Sequence, residues 1–176
     1  EYMRGEPVAP VEKVQETSKT GTKTTFWPDP EIFTETTVID CDVIANRLRE
    51  MAFLNKGLKI IFHIDATGTE EVFHYAGGIA SYVEFLNHNK TVLHDKPIYI
   101  DKVVNSMQVE VAIQYTDAYT ESVLSFANNI NTHSGGTHLT GFRNSLTRVF
   151  NDYARKNNIL KDSDQNLSGV LQQLSA

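Results

Sequence analysis

Cysteine is scarce in this sequence: Cys41 is the only one, so no disulfide can form within the chain. A chain without disulfides is typical of a reducing compartment, and we expect a cytoplasmic protein in which Cys41 is a structural thiol. Long apolar runs are also lacking, because no stretch approaches the roughly 18 to 20 residues that a membrane-spanning helix needs. We therefore expect no membrane partner.

Basic residues are in deficit as well. The 176 residues include 16 Lys and Arg against 22 Asp and Glu, which gives a formal net charge of −6 at pH 7. This excludes a small protein that holds nucleic acid by overall charge alone, since such proteins carry a basic excess. It does not exclude a basic patch on one face. With 40% hydrophobic and 22% charged residues, the composition is that of a folded globular protein.

Phosphate-binding loops and metal-ligand patterns are absent from the sequence. Neither GxGxxG nor GxxxxGK followed by Ser or Thr occurs. His133 and His138 lie five residues apart, and His63 and His74 can pair across a hairpin, but no carboxylate or cysteine stands at ligand spacing with either pair. We therefore expect no metal site.

Hydrophobic periodicity predicts an α+β fold with two parts. The first part contains, in chain order, a polar arm or edge strand over 1–19, a strand over Thr20–Trp27, a helix capped by Asp40 and ending near Asn55, a hairpin of Leu58–Asp65 and Glu71–Tyr75, and a short helix from Gly78 to Leu86. A polar loop over 87–96 follows. We place the domain boundary between residues 86 and 97.

The second part is predicted to form a sheet covered by a helix. Its predicted strands are Ile98–Val103, Gln108–Thr116 and Ser122–Asn129. Apolar and polar residues alternate along 107–116, which indicates one buried face. We expect a helix over 139–156 to lie across that face with an apolar stripe of Phe142, Leu146, Val149, Phe150 and Tyr153.

A Gly-Gly pair before this helix is the most informative motif. Gly135-Gly136 supplies backbone freedom, and Thr137 can cap a helix by accepting a hydrogen bond from a free amide. That pattern occurs in many folds, but the surrounding sequence motifs are more specific: SFANNIN at 125–131, GGTH at 135–138 and GFRNSLTRVFNDYA at 141–154. Together they resemble the transducer part of the B subunit of bacterial type II DNA topoisomerases, namely DNA gyrase and topoisomerase IV.

Further blocks continue the resemblance in the same order along the chain. They are TGT at 20–22, FWPDP at 26–30, RLREMAFLNKG at 47–57, FHYAGGI at 73–79, YVEFLN at 82–87 and VEVAIQY at 109–115. Any one block is a weak signal, whereas so many colinear blocks are not expected by chance.

The resemblance implies both an architecture and a function. Residues 1–86 correspond to the C-terminal part of a gyrase/chaperone/kinase-type (GHKL) ATPase sandwich, and residues 97–176 to an incomplete transducer domain with a mixed or antiparallel sheet covered by helices. The parent protein uses ATP and Mg²⁺ to clamp DNA and pass one duplex through another. Its implied partners are DNA, a second copy of the subunit and a gyrase A-type DNA-cleavage subunit.

Two alternatives stay open at this point. The sequence does not separate gyrase from topoisomerase IV. A stand-alone, nucleotide-free interaction module that retains the transducer fold is the alternative to an enzyme fragment.

Thr22 is the position that the resemblance assigns to the nucleotide site, because the family's Thr-Gly-Thr motif lines the adenine end of the pocket; a strand threonine without a ligand is the alternative. The family's Gln-Thr-Lys loop, which brings a lysine to the γ-phosphate, is absent from this sequence. A cation there stabilises the transferred phosphoryl group, so its absence removes catalysis as well as affinity. We expect this chain alone to contain no catalytic residue, to be inactive and to bind ATP and Mg²⁺ at most weakly.

Four residues are candidates to face DNA: Arg143, Arg148 and Arg155 on the long helix, and His133 before the Gly-Gly pair. The arginines lie off the apolar stripe, and the resemblance implies a dimer whose transducers surround a cavity able to hold DNA. A solvated helix face is the alternative. His133 and Ser134 stand where the family commonly has a basic and an acidic residue.

The tail departs from the family pattern. After Gly169 the chain continues VLQQLSA over 170–176, where an acidic stretch and a strand are expected. Whether this tail is native or follows missing residues stays open.

Overall fold

The structure, a computed structural model, describes residues 1–118, 120–161 and 163–168. The unusual tail at 170–176 lies outside these ranges. The chain divides into two compact units, Glu1–Cys41 and Asp42–Ala176. Within the described ranges, no helix combines the length and the hydropathy that crossing a membrane requires.

The first unit contains little regular structure. A minimal antiparallel hairpin pairs β1 (Tyr2–Met3) with β2 (Glu6–Pro7), and Arg4 at its tip donates from Nε to Asp29 Oδ2 at 2.6 Å. The predicted strand over Thr20–Trp27 is wrong, because these residues join no ladder in the described structure. A strand needs a neighbouring strand for its backbone hydrogen bonds, and none of the described strands pairs with this segment.

A helix and a hairpin, both predicted from the sequence, form the core of the second unit. The helix α1 (Cys41–Leu54) packs on the antiparallel strands β3 (Lys59–Ile64) and β4 (Thr69–His74). The core contains Ala45, Ala52 and Phe73, with Leu48, Ile60, Phe62 and Tyr75 packed against it.

An aromatic cluster attaches the next helix to α1. Phe53 is 1% exposed, and its ring centroid lies 3.6 Å from that of Tyr75 and 4.8 Å from that of Tyr82. Tyr82 belongs to α2 (Ile79–Asn87), the short helix predicted after the first Gly-Gly pair. Burial in this cluster, followed by the nearby Glu50 charge, raises the pKa of Tyr82.

The two strands predicted after the polar loop are confirmed. β5 (Ile98–Val104) and β6 (Met107–Ile113) form an antiparallel hairpin. Its turn places Asn105 and Ser106 at φ +49° and +66°, the left-handed pair that a tight hairpin turn requires. α2 packs on β6, where Asn87 Nδ2 donates to Gln114 Oε1 at 3.1 Å.

The third predicted strand is wrong. Within Ser122–Asn129 only β7 (Phe126–Ala127) is paired, and it turns back at once through Asn128 and Asn129 into β8 (Ile130–Asn131). Residues 122–125 join no ladder in the described structure, and the Asn-Asn pair at the end of the predicted strand adopts left-handed backbone angles that turn the chain back.

The last helix, α3 (Thr137–Lys156), forms as predicted but packs differently. Among the described residues, neither β5 nor β6 makes an extensive contact with it. Val149 and Tyr153 of the predicted stripe are 59% and 61% exposed, whereas Asn151 and Ala154 are buried. The chain after the helix returns along it, and Leu160 N–H donates to Ala154 O at 3.2 Å. Phe142, Leu146 and Phe150 of the stripe are half-buried, so the buried face of the helix overlaps the predicted stripe only in part.

Candidate nucleic-acid interface

A glycine loop and a small hydrogen-bond cluster fix the start of α3. Gly135 has φ +76°, which favours glycine, and a Cβ on Gly136 would lie 2.6 Å from the His138 ring. His138 Nε2 lies 3.2 Å from Thr132 Oγ1, and that hydroxyl donates to Ser125 O at 3.0 Å. His138 therefore ties the first turn of α3 to the preceding hairpin.

Arg143 is engaged by an acidic residue. Its Nη2 donates to Glu121 Oε1, and the Glu121 side chain is mostly buried. The ion pair balances the Arg143 charge within the chain. A contact between Arg143 and a phosphate would require this pair to open or to be shared.

Arg155 binds the returning chain. Its Nη1 donates to Lys161 O at 3.0 Å, and its Nη2 donates to Asp164 O at 3.0 Å and to Asn166 Oδ1 at 2.7 Å. The guanidinium is thus half-buried and orders the loop that follows the helix. The Arg155 N–H groups are thus engaged by the loop and are not free to donate to a phosphate.

Asn151 is a residue that the sequence analysis missed. It is 7% exposed, and its Nδ2 donates to Thr147 O at 2.9 Å and to Leu167 O at 3.0 Å. Its Oδ1 accepts from Leu167 N–H at 2.7 Å. An asparagine beside the apolar positions of an amphipathic helix was the available signal, since its side chain readily bonds to backbone groups.

Of the three candidate arginines, Arg148 is the one without a partner among the described residues. It is exposed and forms no hydrogen bond or ion pair with another residue in the described part of the chain. It lines a shallow groove of about 490 Å³ together with Asp152, Arg155 and Ser168. A phosphate entering this groove would meet an unpaired guanidinium.

His133 does not line this groove, and Thr22 belongs to the first unit. His133 is exposed in the turn between β8 and α3, and it makes no hydrogen bond or ion pair within the described ranges. Thr22 is exposed in an irregular part of the first unit. The structure therefore brings together Arg148 and Arg155, and places Arg143 and His133 outside the groove lining.

The histidines do not gather metal ligands. In the β3–β4 ladder His63 lies opposite Glu70 and His74 opposite Lys59, so the two histidines do not face each other across the hairpin. His63 Nε2 lies 3.2 Å from Asp65 Oδ1. Over the described ranges, no group of three His, Cys, Asp or Glu side chains could hold an ion.

The sequence is similar to known proteins of one family. A family model described as DNA gyrase B matches residues 78–174. The DNA gyrase B protein of Streptococcus pneumoniae serotype 4 is 57% identical over 171 residues, which are 96% of this chain and 26% of that protein. The DNA gyrase B protein of Halalkalibacterium halodurans is 54% identical over 169 residues, which are again 96% of this chain and 26% of that protein. The chain thus spans about a quarter of the length of these curated relatives.

Two solved structures are also similar. The 43K ATPase domain of Thermus thermophilus gyrase B, solved in complex with an aminocoumarin, superposes with a TM-score of 0.68 at 39% identity, and the match covers 81% of this chain and 38% of that domain. The gyrase B protein from Myxococcus xanthus superposes with a TM-score of 0.69 at 26% identity, and the match covers 79% of this chain and 42% of that protein. These similarities confirm the α+β class and the resemblance carried by the sequence motifs.

Proposed function

The chain belongs to the DNA gyrase B family, and on this premise we propose that it is a segment of the ATP-hydrolysing subunit of a type II DNA topoisomerase. The complete subunit couples ATP binding and hydrolysis to closure of a clamp on DNA and to strand passage. The contribution of this segment is mechanical: it connects the nucleotide site to the DNA-holding part. The identity over 96% of the chain supports this assignment.

We propose that two consecutive parts of the chain belong to two domains of the subunit. Residues 1–86 supply the end of the ATPase domain, and residues 97–176 supply the first part of the transducer domain. The helix α2 and the strand β5 are separated by residues 88–97, in which the described structure has only an isolated bridge between Val92 and Thr116. We place the boundary at this irregular connection, within the compact unit Asp42–Ala176, and the packing of α2 on β6 crosses it.

ATP and Mg²⁺ are the proposed cofactors of the complete subunit, and Thr22 is the proposed contribution of this chain to the adenine end of the pocket. Thr22 is exposed, so its hydroxyl is accessible to a ligand. The chain has no glycine-rich phosphate loop and no Gln-Thr-Lys loop, which fits a segment that is inactive by itself. We further propose a cytoplasmic protein that works with a second copy of itself and a DNA-cleavage subunit.

The geometric support for DNA binding is Arg148, an exposed guanidinium without a partner among the described residues, in a groove of α3. Among the four candidates it is the arginine that can bind a phosphate without first breaking an internal contact. Arg143 and Arg155 become secondary contacts, since Glu121 holds the first, and Lys161, Asp164 and Asn166 hold the second. His133 contributes charge only when protonated.

An Arg148→Gln substitution in the complete subunit tests this assignment. We expect the slope of log DNA affinity against log salt concentration to become shallower by up to about 0.9, because one phosphate contact is lost. DNA-stimulated ATP turnover should fall while turnover without DNA is kept. The matched control is Lys102→Gln, which removes an exposed cation from β5. Equal slopes for both variants would rule out Arg148 as a DNA contact.

A further inference from the structure

The helix α1 contacts the β7–β8 turn through residues far apart in sequence. Arg47 Nη2 donates to the backbone oxygen of Asn129 at 2.9 Å, and Asn129 Nδ2 donates to Asn55 Oδ1 at 3.0 Å. We call these two hydrogen bonds the Asn129 contact. In the proposed domain division, Arg47 and Asn55 lie in the ATPase part and Asn129 in the transducer part. The contact therefore crosses the polar loop that separates the two parts.

A series of hydrogen bonds continues from this turn to α3. Asn129 is the second left-handed residue of the turn, at φ +66°, and leads directly into β8. Thr132 N–H donates to Ser125 O at 2.8 Å and closes the hairpin. Thr132 Oγ1 then lies 3.2 Å from His138 Nε2 in the first turn of α3. These hydrogen bonds connect the turn, through the hairpin, to the start of the helix that carries Arg148.

The Asn129 contact is polar and solvent-exposed. Arg47 and Asn129 are both exposed, so the two hydrogen bonds join α1 to the turn at the molecular surface, where water can replace them. Contacts of this kind are broken and remade at modest cost, unlike the buried Phe53 cluster. Asn55 is also held in one orientation, because its Nδ2 donates to Met51 O at 2.8 Å and leaves its Oδ1 as the acceptor for Asn129.

We propose that the Asn129 contact regulates the proposed enzyme by coupling the ATPase part to α3, with Arg47, Asn55 and Asn129 as positioning residues. This inference rests on the proposed function and names a route by which DNA at α3 can influence ATP turnover. Coupling between two sites requires an element whose position both sites bias. The β7–β8 turn is that element, because it is bound to α1 on one side and to α3 on the other.

The variants are chosen by the other contacts that each residue makes. Arg47 Nη1 also lies 2.7 Å from Glu50 Oε2, and Glu50 Oε1 is buried without a hydrogen-bond partner in the described structure. Removing Arg47 would leave a buried carboxylate unpaired and confound the test. Asn129→Gly avoids this problem, since glycine tolerates the left-handed backbone and only the bond to Asn55 is lost.

Asn128→Gly is the matched control. Asn128 is the neighbouring left-handed residue of the same turn, at φ +48°, and its side chain makes no hydrogen bond to another described residue. The two variants therefore make the same chemical change at the same turn and differ in the bond to α1. Both are introduced into the complete subunit, and the readout is the ratio of ATP turnover with saturating DNA to turnover without DNA.

We expect Asn129→Gly to lower this ratio about fivefold, the factor that one ordinary hydrogen bond supplies. Turnover without DNA and the thermal midpoint should match the unmodified protein, and Asn128→Gly should leave the ratio unchanged. Asn55→Ala should reproduce the loss, and combining it with Asn129→Gly should add nothing, since both remove the same bond.

Two results would overturn the inference. One is a ratio for Asn129→Gly equal to that for Asn128→Gly. The other is a parallel loss of turnover with and without DNA, which would show a purely structural role. If the unmodified subunit showed ATP turnover that DNA does not stimulate, the proposed function itself would fail, and the coupling role with it.

Discussion

At the scale of single residues, Asn151 holds the chain that returns along α3. It satisfies both the N–H and the C=O of Leu167 from a nearly buried position. Asn151→Ala should therefore lower the free energy of unfolding by about 2 to 3 kcal/mol, because two backbone groups lose their partners. Urea titration of the chain measures this loss. Asn144→Ala, at an exposed site on the same helix, should stay within about 0.5 kcal/mol, and equal losses would contradict the assigned role of Asn151.

Asp29 determines how acid acts on the N-terminal hairpin. The backbone N–H of Glu31 and then the Arg4 guanidinium stabilise its carboxylate and lower its pKa. Since the folded pKa lies below the unfolded value of about 3.9, the contact contributes fully above that value and is lost as the pH falls through the folded pKa. An NMR titration of the Asp29 carboxyl carbon should give a midpoint below that of an unstructured peptide. A midpoint at or above the peptide value would contradict the Arg4 contact.

At the scale of elements, Phe53 joins α1, the end of the β3–β4 hairpin and α2 in one aromatic cluster. Phe53→Ala should cost about 3 to 5 kcal/mol, the usual range for a fully buried phenylalanine. Phe26→Ala makes the same change at an exposed position of the first unit and should cost less than about 0.5 kcal/mol. Denaturant titration compares the two. A small loss at Phe53 would mean that α2 is not held by this cluster.

Helices and strands that are marked by periodic hydrophobic residues within the element itself were predictable from the sequence. The helix periodicity of α1, α2 and α3 and the alternation along β3 to β6 gave their positions to within a few residues. The strands expected over Thr20–Trp27 and Ser122–Asn129 failed because a strand depends on a partner. The first segment pairs with no described strand, and in the second only Phe126 and Ala127 are paired. The Asn128-Asn129 pair lies at the end of the predicted strand and forms the turn of the β7–β8 hairpin.

The candidate site was predictable only in part for a related reason. Helical spacing placed the three arginines off the predicted apolar stripe, but it carried no information on their partners. Glu121 lies 22 positions before Arg143, and Asn166 lies 11 positions after Arg155. Such contacts depend on tertiary structure, so the sequence could not show that, within the described ranges, Arg148 alone among the three remains unpaired.

At the scale of the whole molecule, the chain is acidic overall, with a formal net charge of −6, and carries its candidate DNA contact in one groove. This distribution fits a segment that guides DNA within a larger assembly better than a free-standing DNA binder. The chain spans about a quarter of its curated relatives, so the proposed activity belongs to the complete subunit.

The most direct test of the account is the topology of closed circular DNA. The complete subunit is combined with its DNA-cleavage partner, and the linking number is followed by gel electrophoresis with ATP, without ATP, and with a non-hydrolysable analogue. The account predicts ATP-dependent changes of linking number in even steps, because one duplex passes through another, and catalytic turnover only where ATP is hydrolysed. A linking number that is unchanged by ATP, or that changes in odd steps, would contradict the proposed function.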